Sequence, residues 1–180
     1  MKETYYTAEG YLVTIELDHN CVDSPRDCDN LGTMACWHGR YAFGDEQPSE
    51  SPQEYEADLP EGTIVLPLYL YDHSILTMNT TGFSCPWDSR QVGIIYVTPE
   101  KIAKEMIPSE QSAIEILKSE VKTYDTYLRG EIYRYTVEKP YPCDHGDTHF
   151  YLIESCGGYY GDDGIGEIKS EWPDVQYVTV

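Results

Sequence analysis

Residues 63–72, TIVLPLYLYD, form the strongest apolar run in the chain. A run of that length reads as a central strand. Pro67 inside it cannot donate to a ladder, which asks for an edge position or a bulge at that point. VGIIYVT (92–98) predicts a second buried strand. YLVTIELDH (11–19) alternates Leu12, Thr14 and Glu16 with Val13, Ile15 and Leu17, the pattern of a half-buried strand. EIYRYTVEK (131–139) and HFYLIES (149–155) add strands joined by a Pro/Asp/Gly loop at 140–148, and DVQYVTV (174–180) predicts a last one.

Helical spacing occurs over 109–128, where Ile114, Leu117, Val121, Tyr124 and Leu128 recur at intervals of three and four. Ser109 suits the N-cap and Gly130 lies just past the end. The opposite face carries Glu115, Lys118, Lys122 and Arg129. A shorter helix follows Thr98, with Pro99 at its first position, and ends by Pro108. Residues 20–47 read mainly as loop, with a short strand at TMACW, and 44–62, rich in Pro, Ser and acid, as a mobile acidic surface loop. CGGYYGDDGIG (156–166) reads as a glycine-rich turn. The expected fold is α+β: a single domain over 1–180, with a mostly antiparallel sheet, one long helix packed on it and long acidic loops.

Charge narrows the functional classes. The chain of 180 residues has 12 Lys+Arg against 32 Asp+Glu, a net of -20. Residues 1–60 carry -10, 61–138 carry -4 and 139–180 carry -6, so the two ends are the more acidic parts per residue. Such a surface repels nucleic-acid phosphates and acidic membranes and attracts basic grooves. No stretch approaches the length of a membrane span, and MKETYYTAEG does not read as a signal peptide, so a cytoplasmic location with reduced thiols is expected. The 17 Tyr suit half-buried strands and contact surfaces alike.

Several residue sets invite chemistry. DHSILTMNTTGFSCPWDSRQVG (72–93) holds His73, Cys85 and Asp88, the one loop-borne set resembling nucleophile, base and orienter. CPWDS is equally a turn, and Asp72 and Asp88 are expected to satisfy backbone amides within a structured loop. Cys143, His145, His149 and Cys156 have metal-like spacing, and Cys36 and His38 with Cys21 or Cys28 a weaker version. No C-x2-C pair is present, and no cofactor is expected. The glycines of 157–166 could cradle an anion at a helix start, but Asp162 and Asp163 would repel it. Those two with Glu167 could hold calcium, without EF-hand spacing. The acid-rich segments supply candidate partner contacts at Asp23, Asp27, Asp29, Asp45, Glu46, Asp144, Asp147, Asp162 and Asp163, with Tyr159 and Tyr160 as aromatic contacts.

LPLYLYDHSILTMNTTGFSCPWDSRQVGIIYVTPEKI (66–102), EVKTYDTYLRGEIYRYTVE (120–138) and ESCGGYYGDD (154–163) together resemble a family of small acidic proteins of bacteriophages and gut Firmicutes. One branch is similar to a type II-A anti-CRISPR protein that inhibits Cas9. Where relatives have SCWGFYG this chain reads SCGGYYG, with Gly157 in place of the Trp. The resemblance carries over no catalytic residue. It implies a binding protein without turnover, a phage-encoded inhibitor that engages Cas9 with its guide RNA in the host cytoplasm and blocks target DNA binding or cleavage. A DNA mimic acting on restriction enzymes, or a small cysteine enzyme or zinc protein built on the sets above, are the alternatives.

Overall fold

The computed structural model describes residues 2–20, 23–85, 87–143, 145 and 147–174. Along the chain the elements are β1 (Lys2–Tyr6), β2 (Leu12–Leu17), a 3-10 turn (Pro25–Asp27), β3 (Thr33–Cys36), α1 (Pro52–Ala57), β4 (Ile64–His73), β5 (Ile75–Asn79), β6 (Ser89–Val97), α2 (Pro99–Lys104), α3 (Glu110–Leu128), β7 (Ile132–Pro142), β8 (Thr148–Tyr160) and α4 (Gly161–Glu171). Two compact units result, one from the chain ends (Met1–Val22 with Gly130–Val180) and one from Asp23–Arg129. The α+β class holds, with every strand pairing antiparallel, but the strands divide between two four-stranded sheets, β1-β2-β7-β8 and β3-β6-β4-β5. The strand expected in DVQYVTV lies, apart from Asp174, outside the described residues, as do Cys21, Pro86 and Asp144.

In the unit built from the chain ends, the alternation of β2 does what it predicts. Val13 and Ile15 are buried and Leu12, Thr14 and Glu16 take the other face. The buried row continues through Tyr5 on one side and Tyr133, Tyr135 and Val137 on the other, and Ile168 of α4 covers it, flanked by Ile165 and Trp172. The expected glycine turn at 156–166 is corrected here. CGGYY belongs to β8, whose register against β7 shifts where Gly157 and Gly158 lie. GDDGIG opens α4. The glycines accommodate the bulge and the tight helix entry; a Cβ on Gly164 would stand 2.8 Å from the Tyr159 backbone.

In the other unit, α3 behaves as its spacing predicts. Ser112 N donates to the Ser109 side chain at 3.0 Å, and Gly130 follows the helix with φ 69. Leu117, Val121 and Tyr124 pack, with Ala113, against Met34, Leu68, Leu70, Met78, Ile95 and Val97 of the sheet. Pro67 is reconciled by strand length: β5 pairs only with Tyr69–His73, so Ile64–Leu68 has β6 alone as neighbour, and the bulge falls between Leu68 and Tyr69. The segment 44–62, expected as a mobile loop, instead contains α1. Ser51 and Glu54 form a capping box around Pro52, and Tyr55 packs on Trp37 and Tyr96.

Arg26 joins the acidic loop to α3. Its side chain is 4% exposed. Nε and Nη2 donate to Asp45 at 2.9 and 2.6 Å, Nη1 to Glu120 at 3.0 Å, and Nη2 to the Gly32 carbonyl at 2.6 Å. Glu120 in turn accepts from Leu31 N at 2.6 Å, and Asp45 from Met34 N at 2.7 Å. Removing the guanidinium leaves two covered carboxylates facing each other. Arg26→Ala is expected to cost about 3–5 kcal/mol in urea unfolding. Glu115→Lys, on the exposed face of the same helix, should stay within about 0.5 kcal/mol. A loss below about 1 kcal/mol for Arg26→Ala would remove the ion cluster from its structural role.

Candidate functional site

The 72–93 segment is not the loop it was expected to be. β4 runs to His73, and Ser74, with φ 52, is the single residue that turns it into β5, since His73 pairs with Ile75. The chain then returns through an Asn-built turn in which Asn79 Oδ1 accepts from Thr81 N at 3.0 Å and Gly82 N at 2.7 Å. Asp72 N donates to the Asp88 carbonyl at 2.9 Å, which fixes the start of β6 beside the end of β4. Among the described residues the Asp72 and Asp88 carboxylates do not serve backbone amides as expected but meet Arg40, Cys85 and His73; Asn79 serves the turn amides.

Trp37 and His38 follow β3 and meet β6, where Trp37 N donates to the Val92 carbonyl at 2.7 Å. His38 Nδ1 accepts from Arg40 N at 3.3 Å and Tyr41 N at 3.1 Å, so the neutral ring carries its proton on Nε2. Burial first, then the positive field of Arg90, holds its pKa below the usual value. The result is a cleft of about 360 Å³ lined by His38, Leu70, Asp72, Trp87, Asp88 and Arg90. Arg40 pairs with Asp72 at 3.1 Å and lies 4.6 Å over the Tyr41 ring. Among the described residues Arg90 has no ion-pair partner. Trp87 is 92% exposed. Two Arg and two Asp leave this patch formally neutral on a strongly acidic chain.

His73, Cys85 and Asp88 do come together, but in the wrong order for nucleophilic chemistry. The Cys85 thiol meets Asp88 Oδ2 at 3.5 Å, and His73 Nδ1 stands 3.8 Å from that same oxygen. A cysteine nucleophile needs the imidazole at the thiol and the carboxylate behind it. Here the carboxylate takes the middle place.

The metal sets disperse. His149 and Cys156 lie on one strand seven residues apart, a span of roughly 20 Å. Cys36 is buried and its thiol is pushed up to about 12, chiefly by burial, while Cys28 is exposed. Among the described residues no three His, Cys, Asp or Glu side chains gather as a metal site. Asp162 and Asp163 stand in the first turn of α4, where their charge complements the helix dipole, and Glu167 lies one turn on.

The candidate partner contacts differ in their surroundings. Several are already employed: Asp45 by Arg26, Asp27 by Ser24 N at 3.0 Å, Glu46 by the Tyr55 hydroxyl at 2.5 Å. Tyr159 packs on Tyr135 at the chain-end core, and Tyr160 is half-buried opposite Ile132. Asp23, Asp29, Asp147, Asp162 and Asp163 are exposed. The acid-rich stretch from Asp45 to Asp58 was singled out in the sequence as loop; the structure places Glu50, Glu54, Glu56, Asp58 and Glu61, five exposed acids with no base between them, on and around the helix α1. The signal was present, since Ser51-Pro52-Gln53-Glu54 has the spacing of a capping box with Pro at the first position. No family profile, no curated protein and no solved structure matches the chain.

His38 supplies a test of the cleft. Its folded pKa lies below the unfolded value of about 6.5, so its contribution is complete above that pH and is lost as pH falls through the folded value. Proton NMR should place the imidazole midpoint below about 6.5. His38→Asn, whose Oδ1 can accept from the same two amides, should remove this acid-side loss of stability. A midpoint at or above the unfolded value would contradict the assigned hydrogen bonds.

Proposed function

We propose that this chain acts by binding, as a phage-encoded inhibitor that seats acidic surface on the basic nucleic-acid groove of a host defence nuclease. Cas9 with its guide RNA is the partner the sequence resemblance implies. The observation that carries this reading is how the cations are spent. Lys2, Arg26, Arg40, Lys104, Arg129, Arg134 and Lys169 each stand within ion-pair distance of an acid of the same chain. The surplus of 20 negative charges therefore has few cations left on the chain to meet it. A partner that presents arginines and lysines for DNA would supply them.

Each unit offers such a surface. Glu50, Glu56, Asp58 and Glu61 are exposed around α1, and Asp162, Asp163 and Glu167 along α4. Carboxylates held on helices meet a fixed arginine with less ordering cost than the same groups on a floppy loop. Occupying a channel built for a target duplex excludes DNA without any bond being broken. Direct nucleic-acid binding is opposed by the same charge. No helix among the described residues is long and apolar enough to cross a membrane. The bacterial cytoplasm is the compartment where this partner would be met.

Titration of immobilised Cas9–guide RNA is the test. Glu56→Lys/Asp58→Lys and Asp162→Lys/Asp163→Lys should each weaken binding by about tenfold or more at low salt, with the difference shrinking at high salt. Glu115→Lys should change it by less than about threefold, because Lys118 and Lys122 share that face. Binding indifferent to salt, or capture of a restriction enzyme in place of Cas9, would overturn this reading. Cys85→Ser should leave inhibition intact; activity lost with an unchanged circular dichroism spectrum would point to chemistry at Asp88 and His73 instead.

A further inference from the structure

Four strands end the two sheets; two of those edges are closed, and a third is guarded by charge. β3 is capped from its open side by the backbone of Asp45 and Glu46: Cys36 N donates to the Glu46 carbonyl at 2.9 Å, and Asp45 N and Glu46 N donate to the Met34 carbonyl. β5 is held by α3, where Asp125 Oδ1 accepts from Met78 N at 2.7 Å. β1 is short and charged, with Glu3 bridged to Lys169 at 2.7 Å and Lys2 near Glu16 at 4.0 Å. These are the usual ways by which an edge is kept from pairing with another chain. β8 has none of them over Thr148–Leu152. It is the last strand of its sheet, and this stretch contains no Pro, Lys, Arg, Asp or Glu. Tyr151 and Leu152 are 45% and 58% exposed. The arm is also under-supported: β2 stops pairing at Glu138, so Lys139–Pro142 with Thr148–Tyr151 is a two-stranded ribbon, an arrangement that is marginal alone.

We infer that β8 is a self-association edge, where a second copy of this chain adds its own Thr148–Leu152 antiparallel to the first. Charge selects this occupant. Two copies repel each other over most of their surface, and close approach requires a neutral strip. Between Lys139–Pro142 and Thr148–Leu152 the only formal charge is Lys139. A basic groove gains nothing from such a strip, whereas an identical one fits it. The register is self-complementary. Centred on Phe150, the pairing sets His149 opposite Tyr151 of the second copy, twice. That extends the aromatic cluster in which Tyr141 stacks on His149 at 5.5 Å and touches Tyr151 at 5.8 Å. On the other face Phe150 meets its own copy beside Tyr6, whose ring is 6.3 Å away. The register shift between Val137 and Glu138, which leaves Ile153 unpaired, ends the ladder after five residues.

Sedimentation equilibrium of the full chain decides it. At about 100 µM and physiological salt the mass should move from 20.6 kDa toward twice that value. Raising salt should strengthen the association, because it screens like charges. That is the opposite of its effect on binding to a basic partner, so this inference and the proposed function fail separately. Leu152→Lys and Tyr151→Lys should each weaken the dimer by about tenfold or more with the circular dichroism unchanged. Ile75→Lys, an equally exposed apolar residue of the other unit, should not. A monomer throughout this range, or a dimer unchanged by Leu152→Lys, would overturn the assignment.

Discussion

A buried guanidinium organises the unit built from residues 23–129. Arg26 lies in a 3-10 turn whose capping box, Ser24 with Asp27, presents it inward. Its four donor contacts gather a loop carbonyl at Gly32, an acid beyond β3 at Asp45 and an acid of α3 at Glu120. Neither carboxylate could be covered beside the other without it, because two like charges at that separation raise each other's cost of ionisation. With it in place, Glu120 is free to accept from Leu31 N and Gly32 N, and Asp45 from Met34 N. The position of β3, and with it His38 and the cleft, follows from this cluster.

Elements carried by long periodic patterns were legible: α3 with Ser109 and Gly130, the β2 alternation, the apolar runs of β4 and β6. Their signals are local and redundant. What the sequence hid was set by partners distant along the chain. Glu115 and Glu120 look alike on the helix surface, yet one faces solvent and the other Arg26, 94 residues away. CGGYYGDDGIG reads as a turn because glycine is a turn former. Pairing to β7 makes half of it strand, and the apolar spacing of Ile165, Ile168 and Trp172 makes the rest a helix. α1 was legible in principle, but the surrounding Ser, Pro and acid concealed its capping box. The candidate site was legible as a gathering of His73, Cys85 and Asp88 and illegible in its order, because a one-residue turn at Ser74 places His73 against Asp88 rather than the thiol.

A chain with so few cations satisfies many of its carboxylates with neutral donors, beside the guanidinium contacts of Arg26 and Arg129. Backbone amides serve Glu120, Asp45, Asp27 and Glu54. The Thr77 hydroxyl and Met78 N serve Asp125. Tyrosine hydroxyls serve Glu46, through Tyr55, and Glu154, through Tyr135. Burial and then the adjoining carboxylate push both tyrosines above their ordinary pKa, which keeps them protonated and donating. Two of the tyrosines thus have a use beyond packing. Each such hydroxyl holds a carboxylate in place without neutralising it, so the fold is specified while the negative charge is left intact. Lysines in those places would have specified a similar fold and erased the surface that the proposed function requires.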